Sequence, residues 1–102
     1  MINAIKNIKP SWVVPKQIQA LCSTREGGVS KPPFNTLNLG LNAGDNLEDV
    51  LQNRSILRSQ LPAEPVWLKQ IHGATVSSPS SRNALASGPI EADASVSNKP
   101  NE

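Results

Sequence analysis

Three aromatic side chains, Trp12, Phe34 and Trp67, are the only ones this chain of 102 residues has for filling a core. Its apolar residues make up 37% of the sequence, whereas globular domains run to roughly 45–50% on a count that also includes Gly. A chain of this size buries roughly two thirds of its unfolded surface when it folds alone. With so little bulk available, either the domain is small and marginal or its faces lean on material outside these residues. The length suits one domain and no more.

Charge and targeting signals exclude several partners. Ten Lys and Arg against eight Asp and Glu leave a net charge of +2, with no block of like charge. A nucleic-acid binder would carry a clustered basic stripe. Lys6, Lys9 and Lys16 are instead scattered through a Pro-containing start and read as a solvated tail. No apolar run approaches 18 residues, so no membrane span is expected. The opening MINAIKNIKPSWVV lacks the apolar stretch and cleavage site of a signal peptide. The single cysteine, Cys22, excludes an internal disulfide and suits a cytoplasmic protein. Its small and apolar neighbours predict a buried, unreactive thiol.

The patterning predicts mixed α/β structure of the α+β class. Residues 1–16 read as an extended lead-in, because Pro10 and Pro15 remove backbone donors; Trp12, Val13 and Val14 offer it an anchor. Residues 17–25 alternate in polarity and predict a strand, ended by the turn at Gly27-Gly28. A short extended piece over 36–41 stops at Gly44. The strongest element is a helix over 46–60. Asp45 is placed to cap it, with Glu48 three residues on. Leu47, Val50, Leu51, Leu57 and Leu61 recur at helical spacing, and Pro62 ends it. Asn53 and Arg54 lie beside that stripe, where they would brace a neighbouring loop. A second strand is predicted over 65–73, extendable through 74–76, then a Ser-, Pro- and Gly-rich loop over 77–91 and a third strand over 92–97. Residues 17–102 thus read as one incomplete domain portion, since a few strands and one helix cannot cover both faces of a sheet.

Few residues stand out for chemistry. His72, the only histidine, falls at a strand end beside Gly73. It suits a metal ligand or an acid–base group at the mouth of a sheet, and equally a satisfied structural imidazole. No second His and no nearby Cys completes a metal-ligand pattern. Arg25 closes the first strand next to two glycines, a good position for gripping a phosphate or carboxylate, or for pairing with Glu26 or Asp45. Gly27-Gly28 is not part of a phosphate-binding glycine fingerprint. Asp93 is the one carboxylate inside the last strand.

Several segments occur together in order: Ser23-Thr24-Arg25-Glu26-Gly27-Gly28-Val29-Ser30, Leu37-Asn38-Leu39-Gly40, Gly44-Asp45-Asn46, Asn53-Arg54, Val66-Trp67-Leu68-Lys69-Gln70-Ile71-His72-Gly73 and Ala92-Asp93-Ala94-Ser95. In combination they resemble the N-terminal part of the YfiH family, also called the polyphenol oxidase or laccase-domain family, over residues 17–98. The resemblance implies a layered α/β/β/α body in the complete protein. It implies a purine nucleoside-processing enzyme acting on nucleoside and phosphate, with adenosine deamination as a second activity. Copper-dependent phenol oxidation and cell-wall precursor editing are the alternatives. The family's metal site uses a His, a Cys and a second His. His72 matches the first, in the Q-[IV]-H-G segment. The A-D-C-x-P and H-A-G-W-R-G segments that carry the others do not occur in these 102 residues, and Cys22 lies in a different motif. Zinc is the implied ion and copper the alternative. Arg25 becomes an anion clamp, and Asn38, Gln70 and Asp93 become pocket residues or supports of the ligand. The 102 residues alone are expected to be inactive. A non-catalytic remnant, or an interaction module acting through unpaired strand edges, is the reading from another class.

Overall fold

The helix α1 runs over Leu47–Arg58. Its N-cap is Asn46, whose Oδ1 accepts from the Asp49 backbone N–H at 3.1 Å; Asp45, the expected cap, sits one residue too early. Its carboxylate instead accepts from the Asn46 N–H at 2.7 Å. Glu48 and Asp49 in the first turn and Arg58 in the last complement the helix dipole. The buried face is narrow, formed by Val50, Asn53 and Leu57. Leu47 and Leu51 belong to the predicted stripe but remain exposed. Leu51 is turned about 100° round the helix from Val50, and what packs on α1 reaches only the Asn53 side.

The structure, a computed structural model, describes residues 5–78 and 90–101. The chain divides into two compact units, Met1–Gln60 and Leu61–Glu102. In the first, the segment from Gly28 to Leu39 lies against the Asn53 face of α1. Asn53 is fully buried. Its Oδ1 accepts from the Val29 N–H at 2.8 Å, and its Nδ2 donates to Ser30 Oγ at 2.8 Å and to the Asn38 carbonyl at 2.8 Å. Arg54 Nε donates to the Leu39 carbonyl at 2.8 Å. Both side chains therefore brace the loop, as their place beside the stripe predicts. Leu37, Val50 and Leu57 complete this small core.

The close approach explains the paired glycines. Gly27 adopts φ 104°, a conformation that costs other residues a steric penalty. A Cβ on Gly28 would fall 2.2 Å from the Thr36 carbonyl oxygen and 2.6 Å from Asn53 Oδ1.

The strands are shorter than alternation predicts. In the first unit β1, Asn7–Ile8, pairs antiparallel with β2, Cys22–Ser23. A ladder thus forms inside the stretch read as lead-in, while most of 17–25 stays outside it. Alternation marks which residues can form a strand, but a ladder also needs a partner. The prolines limit that partner, with a turn closed by Ile18 N–H to the Pro15 carbonyl at 2.9 Å. Trp12, Val13 and Val14 are all exposed, so none is the buried anchor expected of them. Cys22 is exposed, not buried, because its two-stranded ladder has no cover on that side.

In the second unit two short parallel ladders follow one another. The strand β3, Leu68–Lys69, pairs with β5, Ile90–Glu91, and β4, Val76–Ser77, pairs with β6, Ala94–Ser95. Between them, residues 70–75 stand opposite only 92 and 93, so the first segment must loop outward. The predicted strand over 65–73 is broken there. Ala92, at the base of the loop, is fully buried; its N–H donates to the Lys69 carbonyl at 3.1 Å, and the Asp93 N–H to the Thr75 carbonyl at 3.0 Å. Residues 79–89 of the predicted 77–91 loop lie outside the described residues.

The glycine geometry makes a direct prediction. Gly28→Ala should lower stability by at least about 2 kcal/mol through overpacking against main chain. Gly40→Ala, with its nearest neighbouring atom at 3.6 Å, should change stability by less than about 0.5 kcal/mol. Urea denaturation of the two variants checks this; equal effects would mean that the Thr36–Leu37 segment yields freely.

Candidate functional site

The outward loop of the second unit carries His72 at its tip. The residue is exposed and takes φ 57°, the left-handed region rarely used by residues with a Cβ. What holds it there is Asp93. One carboxylate oxygen, Oδ1, accepts from the Ile71 N–H at 3.1 Å and the His72 N–H at 2.7 Å. The other, Oδ2, accepts from the Gly73 N–H at 2.9 Å. Three successive amides converge on one anion, an arrangement known as a nest. The charge also strengthens each bond relative to a neutral acceptor. Gln70, exposed, leads into the turn. The structure thus brings Gln70, His72 and Asp93 together in one turn.

Arg25 and Asn38 belong to the first unit. The Arg25 carbonyl accepts from the N–H groups of Thr36 and Leu37 at 2.9 and 2.8 Å. Its Nε donates to the Asn35 carbonyl at 2.8 Å. Arg25 is exposed, and pairs with neither Glu26 nor Asp45; Glu26 lies 3.6 Å from Lys6 instead. The guanidinium is therefore aimed by its own main chain and by Asn35, with its terminal nitrogens making no hydrogen bond among the described residues.

Asn38 is structural on one side. Its Nδ2 donates to Asp45 Oδ2 at 3.2 Å, its Oδ1 accepts from the Gly40 N–H at 3.1 Å, and its carbonyl is the one held by Asn53. Ser30 Oγ also donates to Asp45 Oδ2, at 2.5 Å. Ser30, Asp45 and Asn53 did not emerge from the sequence as one network. The available signal was an amide on the inner side of a helix, where burial demands partners. Asp93 carried a similar signal, since Asp is depleted in strands and its side chain readily binds nearby main chain.

No metal cage forms from these residues alone. Among the described residues no three His, Cys, Asp or Glu side chains gather to hold an ion. A catalytic zinc takes three protein ligands, and the Asp93 carboxylate beside His72 is spent on backbone amides.

Comparison with known proteins defines the class and then the family. The fold is similar to part of a Neisseria meningitidis protein whose crystal structure is described under the family name DUF152, with a TM-score of 0.79 and 38% identity, covering 93% of this chain and 38% of that one. The family model described as multi-copper polyphenol oxidoreductase laccase matches residues 19–102. Relatives named purine nucleoside phosphorylase YfiH, from Shigella flexneri and Escherichia coli K12, are 45% identical over 97 residues, 93% of this chain. A Haemophilus influenzae purine nucleoside phosphorylase is 44% identical over the same share. The chain belongs to the YfiH, laccase-like family. It spans 39% of the length of the Shigella and Escherichia relatives. Among the described residues no helix is long and apolar enough to cross a membrane.

The Asn38 network yields a pH prediction. The Ser30 hydroxyl, then the Asn38 amide and the Asn46 N–H, hold the Asp45 carboxyl below its ordinary 3.8, against an opposing effect of burial. The folded form thus binds the proton more weakly than the unfolded one. The stabilisation is complete above 3.8 and is lost as pH falls through the lowered folded value. Between about pH 5 and about pH 3 the urea midpoint should fall, and Asp45→Asn should flatten that fall. An unchanged pH slope in Asp45→Asn would assign the effect to another carboxylate.

Proposed function

We propose that this chain is the N-terminal portion of a purine nucleoside phosphorylase, which cleaves the glycosidic bond of inosine- or adenosine-type nucleosides with phosphate to give the free base and pentose 1-phosphate. The observation that carries the reading is the His72 turn: an exposed imidazole held in a left-handed conformation by a charged clamp. Conformations of this kind persist where surrounding structure enforces them, and they cluster at functional sites. The names of the relatives supply the reaction class.

In this reading His72 is one ligand of a zinc ion, and the other two donors come from outside these 102 residues. Arg25 is the phosphate clamp. The nest at 71–73 is already filled by Asp93 and cannot take a substrate phosphate, whereas the Arg25 guanidinium is aimed and open. Asn38 shapes the loop behind Arg25 and Gln70 the approach to His72. Adenosine deamination is the second activity proposed, and the cytoplasm the proposed location, where an exposed thiol such as Cys22 stays reduced. Copper-dependent phenol oxidation, named in the family model's description, is the competing outcome of the test.

The test uses the purified protein that carries this chain, with inosine and phosphate. Ribose 1-phosphate and hypoxanthine should appear together. Arg25→Ala should raise KM for phosphate by at least about tenfold, a loss of one charge-assisted contact, with a smaller change in KM for inosine. His72→Ala should abolish turnover. Oxidation of phenols without phosphorolysis, or full activity in His72→Ala, would overturn the reading.

A further inference from the structure

We propose that Asp93 is a positioning residue for His72, acting wholly through the main chain; the proposal rests on His72 being a site residue as inferred above. Three observations converge. The first is the register: six residues, 70–75, face two, 92 and 93, between parallel ladders that are otherwise intact. A looped-out segment of that kind forfeits its ladder bonds, and its amides need other acceptors. The second is the supply of acceptors: the Asp93 carboxylate takes the N–H groups of Ile71, His72 and Gly73, three in sequence. The third is the conformation this enforces, φ 57° at His72. A left-handed residue between two others points its side chain away from the direction a continued strand would give it. Asp93 therefore sets where the imidazole points, while making no hydrogen bond to the imidazole itself.

The chemistry of the carboxylate is specific to this task. Two oxygens and a full negative charge meet three donors. Asparagine at this position keeps one oxygen for Ile71 and His72 but turns an NH2 group toward the Gly73 N–H, donor against donor. Glutamate carries the same charge one methylene too far. Space does not dictate Gly73, because a Cβ there would meet Asp93 Oδ2 at an ordinary 3.6 Å. The clamp is therefore electrostatic rather than steric.

Two readouts separate this role from simple stability. In the protein that carries this chain, Asp93→Asn should lower kcat for nucleoside phosphorolysis by about 10–100-fold, the range seen when supports of a ligand are removed. KM for phosphate and nucleoside should change by less than about threefold, because the lost term is alignment of the reacting groups. Asp93→Glu should not restore kcat. Independently of activity, the amide proton resonance of Gly73 should move upfield in Asp93→Asn, and those of Ile71, His72 and Gly73 together in Asp93→Ala. If Asp93→Ala fails to fold, Asp93→Asn carries the test alone. Native amide shifts at 71–73 in Asp93→Asn, or native kcat with those shifts lost, would overturn the proposal. Absence of phosphorolysis in the unsubstituted protein would refute the functional reading instead, and the amide shifts would still report on the clamp.

Discussion

The amide of Asn53 is the point on which the first unit depends. It is fully buried in the middle of α1 and satisfies three groups of a loop that has no regular structure of its own. A buried group left without a partner costs about 1–3 kcal/mol, so these bonds decide where the loop can lie. The close packing they demand leaves no room for a side chain at Gly28. They also fix Ser30 and Asn38, whose side chains gather on Asp45 beside the helix start. One polar side chain thus ties the turn after β2 to the N-terminus of α1. The same geometry aims Arg25, through main-chain bonds to Thr36 and Leu37.

The second unit repeats the principle with a charge. Its parallel ladders are two residues long and bury one apolar side chain, Ala92, among the described residues. The Asp93 carboxylate supplies acceptors that the interrupted ladder cannot. Both units therefore substitute side-chain-to-backbone bonds for bulk, which answers the shortage of aromatics seen in the sequence. Charge-assisted bonds of this sort give direction as well as energy. Here they hold the backbone of His72 in one conformation. The exposed apolar side chains that remain, such as Leu47, Leu51, Val76 and Val96, lie where this chain places no cover of its own.

Much of this was legible in the sequence, for reasons that differ from element to element. The helix was plain because apolar spacing, acidic first turn and Pro62 agree; its cap slipped by one residue because Asp45 and Asn46 are both good caps and the loop contacts chose between them. Asn53 and Arg54 were readable as braces because a polar residue beside an apolar stripe needs a partner. Strand lengths were not readable at 17–25 or 65–73, since alternation describes one segment and a ladder is a property of two. The bulge at 70–75 depends on a register with 90–95 that no local pattern encodes. For the same reason Asp93 was visible as an oddity in a strand, while its three amide partners were not. Cys22 misled because small and apolar neighbours suggest burial only where something packs over them. His72 was found by its motif, and its backbone conformation came from the structure.

Residue-resolved amide hydrogen exchange on the protein that carries this chain bears most directly on the idea that polar clamps, not packing, hold these segments. The N–H groups of Val29, Ile71, His72 and Gly73 end on side-chain oxygens, whereas those of Ala92 and Val96 end on ladder carbonyls. All six should exchange at least roughly a hundredfold more slowly than unstructured amides, and at comparable rates. Fast exchange at Val29 and His72 beside a protected α1 would mean that the side chains do not clamp the backbone, and that something else shapes both loops.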